Sequence, residues 1–226
     1  MTTLHDAEFG DITVVRRSLA TRASLSLSPN GQLRITLPRH TPLMTARLAL
    51  RWSRDDIRQL LRQRTSYQHD QPIGKRHHLR FQEGAGPTVT RSGHQLIVSL
   101  PAGADRTTPT LQQLIRREII AALRLEARHY LPKRLAWLAE QHGFSYRRST
   151  LTHASSRWGS CSSRGTISLN IALMNVPLEL IDYVLIHELC HTRQMNHSPA
   201  FWREVAALDP AYQQHRRQLK HYTPHV

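Results

Sequence analysis

With 226 residues, and with 31 Lys and Arg against 16 Asp and Glu for a formal net charge of +15, the chain is long enough to bury a sizeable core as one domain or two closely packed lobes. Residues Met1 to Gly10 lack a basic start followed by an apolar run, and no apolar stretch approaches membrane-spanning length; no secretory leader and no membrane partner are expected, and a cytoplasmic location is. Two cysteines, Cys161 and Cys190, are too few for a disulfide framework.

Residues 13 to 100 read as strand-rich. Leu25 and Leu27 alternate on one side of Pro29-Asn30-Gly31, and Leu33, Ile35 and Leu37 on the other, which predicts a hairpin. Trp52 to Arg64 carries Ile57, Leu60 and Leu61 at helical spacing, predicting a short amphipathic helix. The polar segment Gln71 to Gly86 reads as loop. Val89 before Ser92-Gly93, with Leu96, Val98 and Leu100 after it, predicts a second hairpin. Pro101 to Pro109, rich in Gly, Thr and Pro, is the best internal boundary.

Beyond that boundary the period changes. Leu111, Leu114, Ile115, Ile119, Ala122 and Leu123 predict one helix, and Pro132 to about His142 a second, stopped by Gly143. Thr150 to Leu173 reads as strand, turn, strand, with the turn at Ser162 to Gly165 and Ile167, Leu169 and Ile171 on one face. A helix follows over about 177 to 194: Pro177 suits its first turn, Glu179 and Asp182 complement its positive end, and Leu180, Ile181, Val184, Leu185 and Leu189 form its apolar stripe. Ser198 is a plausible N-cap for the next helix, whose buried face is Phe201, Trp202, Val205 and Leu208.

The helix at 177 to 194 holds His187-Glu188-Leu189-Cys190-His191. Helical residues four apart project from one face, so the two imidazoles can grip one ion. Glu188 lies about 100° further round, where its carboxylate can serve as general base without ligating. His197, in the break before the next helix, adds a third imidazole. Three protein ligands with a fourth position left open are the arrangement of a catalytic zinc site. Cys190 is offset from the two His and suits core packing. For Cys161 a small buried residue, a redox-sensitive thiol and a rival zinc ligand all stay open.

The positive charge is almost entirely Arg, with Lys75, Lys133 and Lys220 as exceptions. It permits a nucleotide or nucleic-acid partner, but the Arg are dispersed and no zinc finger or helix-turn-helix accompanies them.

The strings Ser156-Arg157-Trp158-Gly159-Ser160-Cys161, Ile167-Ser168-Leu169-Asn170, Ile181-Asp182-Tyr183-Val184, His187 to His191, and Asn196-His197-Ser198 with Phe201-Trp202 resemble the YgjP-type metallopeptidases, a family related to the SprT-like zincins. The resemblance implies an α+β fold: a zincin-like catalytic region at 106–226 and an N-terminal strand-rich region at 1–105, either separate or one continuous domain. It implies zinc on His187, His191 and His197, Glu188 as catalytic base, and a peptide or protein substrate. The strand at 166 to 171 would be the edge beside the cleft, able to pair with an extended peptide unless another part of the chain covers it. Arg157 is the candidate for contact with substrate or transition state, a structural ion pair being its alternative.

The expected reaction is zinc-dependent peptide hydrolysis. Metal-activated water can also attack a phosphoryl group, so a nucleotide or phosphoester hydrolase is one alternative. A nucleic-acid-associated SprT-like protease or binding protein is the other.

Overall fold

A computed structural model describes residues 2–27, 33–58 and 67–226, and it has an α+β architecture with three sheets. The chain divides into two compact units, Met1–Gln71 with Leu79–Arg117, and Pro72–His78 with Glu118–Val226.

In the first unit, β1 (Thr2–Asp6), β2 (Gly10–Arg17), β3 (Ser24–Leu27) and β4 (Leu33–Pro38) form a sheet in the order β1-β2-β4-β3. β3 and β4 pair antiparallel, with Leu25 opposite Ile35 and Leu27 opposite Leu33, as their alternation predicts. The turn itself lies outside the described residues. Helix α1 (Leu43–Trp52) was not anticipated. Its Ala46 and Leu50 join Ile57 and the inward residues Ile12, Val14, Leu33, Ile35 and Leu37 in one core. Residues 54–58 are helical, in line with the start of the helix expected at 52 to 64, while Leu60 and Leu61 lie outside the described residues.

A second sheet takes β5 (Gln71–Ile73), β6 (His77–Glu83), β7 (Thr88–Ser92) and β8 (Gln95–Leu100) in the order β5-β6-β8-β7. The β7–β8 hairpin turns at Gly93, whose φ of 56° suits the residue without a Cβ. The expected loop at 71 to 86 instead holds β5 and β6. Every second residue from His77 to Phe81 is buried. The strand was masked by its polar outward residues and by a histidine at an inward position.

Helix α2 (Pro109–Gln141) runs unbroken through Pro132 where two helices were expected. Proline there removes one backbone hydrogen bond and costs about 3 kcal/mol. Ala127, Leu131, Leu135 and Leu138 are nevertheless all buried, so the apolar stripe keeps its phase across the proline and outweighs that loss. Gly143, at φ 63°, stops the chain as expected.

In the second unit β9 (Arg148–Thr152), β10 (Gly159–Cys161) and β11 (Thr166–Asn170) are ordered β10-β11-β9. The turn at Ser162 to Gly165 closes through Gly165 N–H to the Ser162 carbonyl at 2.9 Å. β11 pairs antiparallel with β10 and parallel with β9. It is therefore the central strand, and the edge expected at 166 to 171 is covered by β10. A short 3-10 turn at Ile171–Asn175 leads into α3 (Leu178–Cys190), followed by α4 (Pro199–Leu208) and α5 (Tyr212–Leu219). α5 was not anticipated because it buries no residue fully and so carries no apolar stripe. No helix among the described residues is long and apolar enough to cross a membrane.

Candidate metal centre

α3 is apolar nearly all round, and nine of its residues, Leu180, Ile181 and Tyr183 to Ile186 among them, are buried. Such a helix is held rigidly from several sides, which suits a site that must keep its geometry. His187 lies in its last turn and His191 continues the helical backbone at its C-cap, with φ −65° and ψ −17°. The intervening loop turns back to Ser198, whose Oγ accepts the Phe201 N–H at 3.3 Å and caps α4. Arg193 fixes that loop. It donates to Glu204 of α4 at 2.8 Å and to the Gly143 carbonyl, and stacks over Phe144 at 3.9 Å.

The result brings His197 to the other two histidines. Nε2 of His187 is 3.2 Å from Nε2 of His191 and 3.1 Å from Nε2 of His197. Among the described residues, these three are the one group of three or more His, Cys, Asp or Glu with ligand atoms mutually within 4.8 Å. Cys161 and Cys190 lie outside it. Both are free thiols, and burial pushes the Cys190 thiol up to about 12, in keeping with a packing role.

Phe201 forms the floor. It stacks on His191 at 4.5 Å and meets the edges of His187 and His197, each at 4.9 Å. Trp202 stacks on His197 at 5.6 Å, and Tyr183 stands edge-on to His187 at 6.0 Å. The histidine rings are thus set by aromatic packing before any ligand arrives.

Three converging nitrogens cannot satisfy one another, because one imidazole N–H has a single hydrogen for two neighbouring acceptors. His191 is committed further: its Nδ1 lies 2.9 Å from the Gln194 carbonyl, so that nitrogen donates and Nε2 keeps its lone pair for the centre. A shared cation satisfies all three. Nitrogens about 2.0–2.1 Å from one tetrahedral ion stand roughly 3.3 Å apart, close to the spacings here. An all-imidazole donor set suits zinc and its transition-metal neighbours and excludes magnesium and calcium, which take oxygen. Burial, reinforced by His191, His197 and Arg216, pushes His187 down to about 3. A neutral ring is the ligating form.

Glu188 is 5 % exposed, and its Oε2 has no hydrogen-bond partner among the described residues. Burial pushes its carboxyl up to about 8, against the opposing charge of Arg157. Arg157 is itself exposed at its side chain, but its carbonyl accepts from the buried Asn170 amide at 2.9 Å, which pins the backbone. Gly159 was not assigned a role from sequence. A Cβ there would lie 2.6 Å from Glu188 Oε1 and 2.7 Å from its Cγ, so edge strand β10 passes flush over the carboxylate only because residue 159 has no side chain. The quoted motif contained this glycine, but only the fold reveals what it clears.

Comparison with known proteins bears on the family of the chain. A family model described as a YgjP-like metallopeptidase domain matches residues 21–222. Among solved structures, the zymogen of the metallopeptidase abylysin from Pyrococcus abyssi is similar at 27% identity, covering 39% of this chain and 90% of that one with a TM-score of 0.36. No curated protein matches the chain.

Proposed function

The chain belongs to the YgjP-like metallopeptidase family and is a metal-dependent peptidase in class, and on that premise we propose that it cleaves peptide bonds using one zinc ion on His187, His191 and His197, with Glu188 as general base. The observation that carries this reading is the convergence of three Nε2 atoms beside a buried carboxylate with an unpartnered oxygen. The ion supplies Lewis acidity toward the scissile carbonyl, lowers the pKa of a water towards about 7, and by its charge favours the ionised form of Glu188.

The remaining work falls to the chain. Oε2 of Glu188 takes the water proton and returns it to the leaving nitrogen, while Gly159 keeps the carboxylate from being displaced. Arg157, exposed and electrostatically coupled to Glu188, is our candidate for stabilising negative charge on the substrate. Phe201 and the Gln194 carbonyl hold the imidazoles in their ligating orientation. β10 replaces the strand at 166 to 171 as the edge along which an extended peptide can pair. Every residue given a role in this reading lies in the second unit, within the catalytic region expected at 106–226.

Metal analysis of purified wild type and His197→Ala, followed by a panel of peptides, proteins and nucleotides, tests the reading. We expect one zinc per chain in wild type, weakened binding in the variant, and turnover of peptides. Unchanged zinc stoichiometry and affinity in His197→Ala would remove His197 from the ligand set, and turnover confined to nucleotides would replace the peptidase reading with phosphoester hydrolysis.

A further inference from the structure

Arg216 lies in α5, the helix that sequence patterning missed, and its guanidinium sits 4.8 Å over the Trp202 ring. Trp202 is stacked on Tyr212 at 5.5 Å and on His197 at 5.6 Å. Tyr212 and Arg216 are four residues apart, so one face of α5 presents both to the same indole. The helix is anchored by His215, whose Nδ1 is 2.8 Å from the Asp209 carboxylate and whose ring lies 6.3 Å from that of Tyr183. Tyr183 in turn meets His187. The scaffold that orients the candidate ligands therefore also orients Arg216.

Two arginines near the site are tied to carboxylates, Arg134 to Asp182 at 2.7 Å and Arg193 to Glu204 at 2.8 Å. Arg216 has no carboxylate partner among the described residues, and the residue is exposed. The indole on which it stacks has its ring 5.6 Å from that of His197 and 5.9 Å from that of His187. A guanidinium held beside a cation site is repelled by it, and stacking on tryptophan offsets only part of that cost. An anion on the substrate relieves the repulsion, and stacking leaves the N–H edges of the fork free to take a carboxylate in two parallel hydrogen bonds.

We propose that Arg216, with Trp202 as its platform, is a specificity residue that reads a carboxylate on the peptide close to the scissile bond. The proposal rests on the peptidase reading above. The carboxylate has two sources, an acidic side chain or the C-terminus of the substrate itself.

Four matched peptides separate them: one cleavable sequence with Glu or with Gln beside the scissile bond, each as free acid and as C-terminal amide. With zinc-loaded wild type, the carboxylate-bearing member of one pair should be cleaved about tenfold better in kcat/KM, the size of one charge-assisted contact. The Glu/Gln pair identifies a side chain and the acid/amide pair identifies the chain end. Arg216→Gln should bring the ratio of kcat/KM between the carboxylate-bearing and neutral peptides to about one, a comparison within the variant in which any change of metal affinity or basal turnover common to the set cancels. Equal cleavage of all four by wild type overturns the proposal, as does a loss in Arg216→Gln that is uniform across the set, which marks a structural role. If none of the four is cleaved, the peptidase reading fails on these substrates, and calorimetric binding of the same peptides to zinc-loaded Glu188→Gln decides the proposal separately. Carboxylate-dependent binding that is lost on adding Arg216→Gln sustains it, and binding that ignores the carboxylate, or no binding, overturns it.

Discussion

Two carboxylates buried in the second unit, Glu126 and Glu188, stand in opposite circumstances. Glu126 accepts from the Lys75 N–H at 2.7 Å, the Arg76 N–H at 3.0 Å and His77 Nδ1 at 2.5 Å. Lys75 completes that clasp by donating its ammonium to the Val176 carbonyl. Glu188 is as deeply buried, yet one of its oxygens has no partner among the described residues, and neither has Nδ1 of the neighbouring His187. A buried charge is retained where it is satisfied or where it is used. Glu126 fastens the turn at 74 to 77, and Glu188 keeps an acceptor in reserve.

The contrast predicts which property each substitution damages. Glu126→Ala strands the buried His77 ring and two part-buried N–H groups, and should cost about 3–5 kcal/mol of stability. Urea unfolding of the variant should register that loss, and a midpoint equal to wild type would mean that the clasp at 74 to 77 contributes nothing. Gly159→Ala should act on catalysis more than on stability. The new methyl displaces the Glu188 carboxylate, and a shift of roughly 1 Å is expected to lower kcat about 10²-fold while the melting temperature stays within a few degrees. Near-wild-type kcat in that variant would show that the position of Glu188 is not critical.

A further effect concerns pH. In metal-free protein, Glu188 is raised from 4.5 to about 8, so the folded chain holds a proton that the unfolded chain has released. Its contribution to stability is therefore lost as pH rises through that window. Melting temperatures of the metal-free wild type should fall relative to those of metal-free Glu188→Gln across the same range. Parallel curves would contradict the burial argument.

The candidate ligands and base were legible in the sequence because their spacing is local: one helical turn joins His187 to His191, and a capped break brings in His197. What escaped was long-range. Nothing around Gly159 indicates that a carboxylate 29 positions later needs its space, and nothing in β11 says that β10 will cover its edge. Patterning also failed where polarity and burial part company. His77 reads as polar but is buried because Glu126 satisfies it, which hid β6. α5 is a helix without an apolar stripe, so Arg216 had no context until its stacking on Trp202 supplied one. Pro132 reads as a helix boundary, but the buried residues on either side keep a single helix.

The account turns on Glu188 as the base of a zinc site, and the most direct measurement is turnover of a cleaved peptide by Glu188→Gln with its zinc content determined on the same sample. The amide is nearly isosteric and cannot accept the proton. The prediction is one zinc per chain, an intact fold and a fall in kcat of about 10²–10⁴-fold, the range of general-base catalysis. Glu179→Gln, in the first turn of α3, should keep wild-type activity. Wild-type turnover by zinc-loaded Glu188→Gln would contradict the assignment outright.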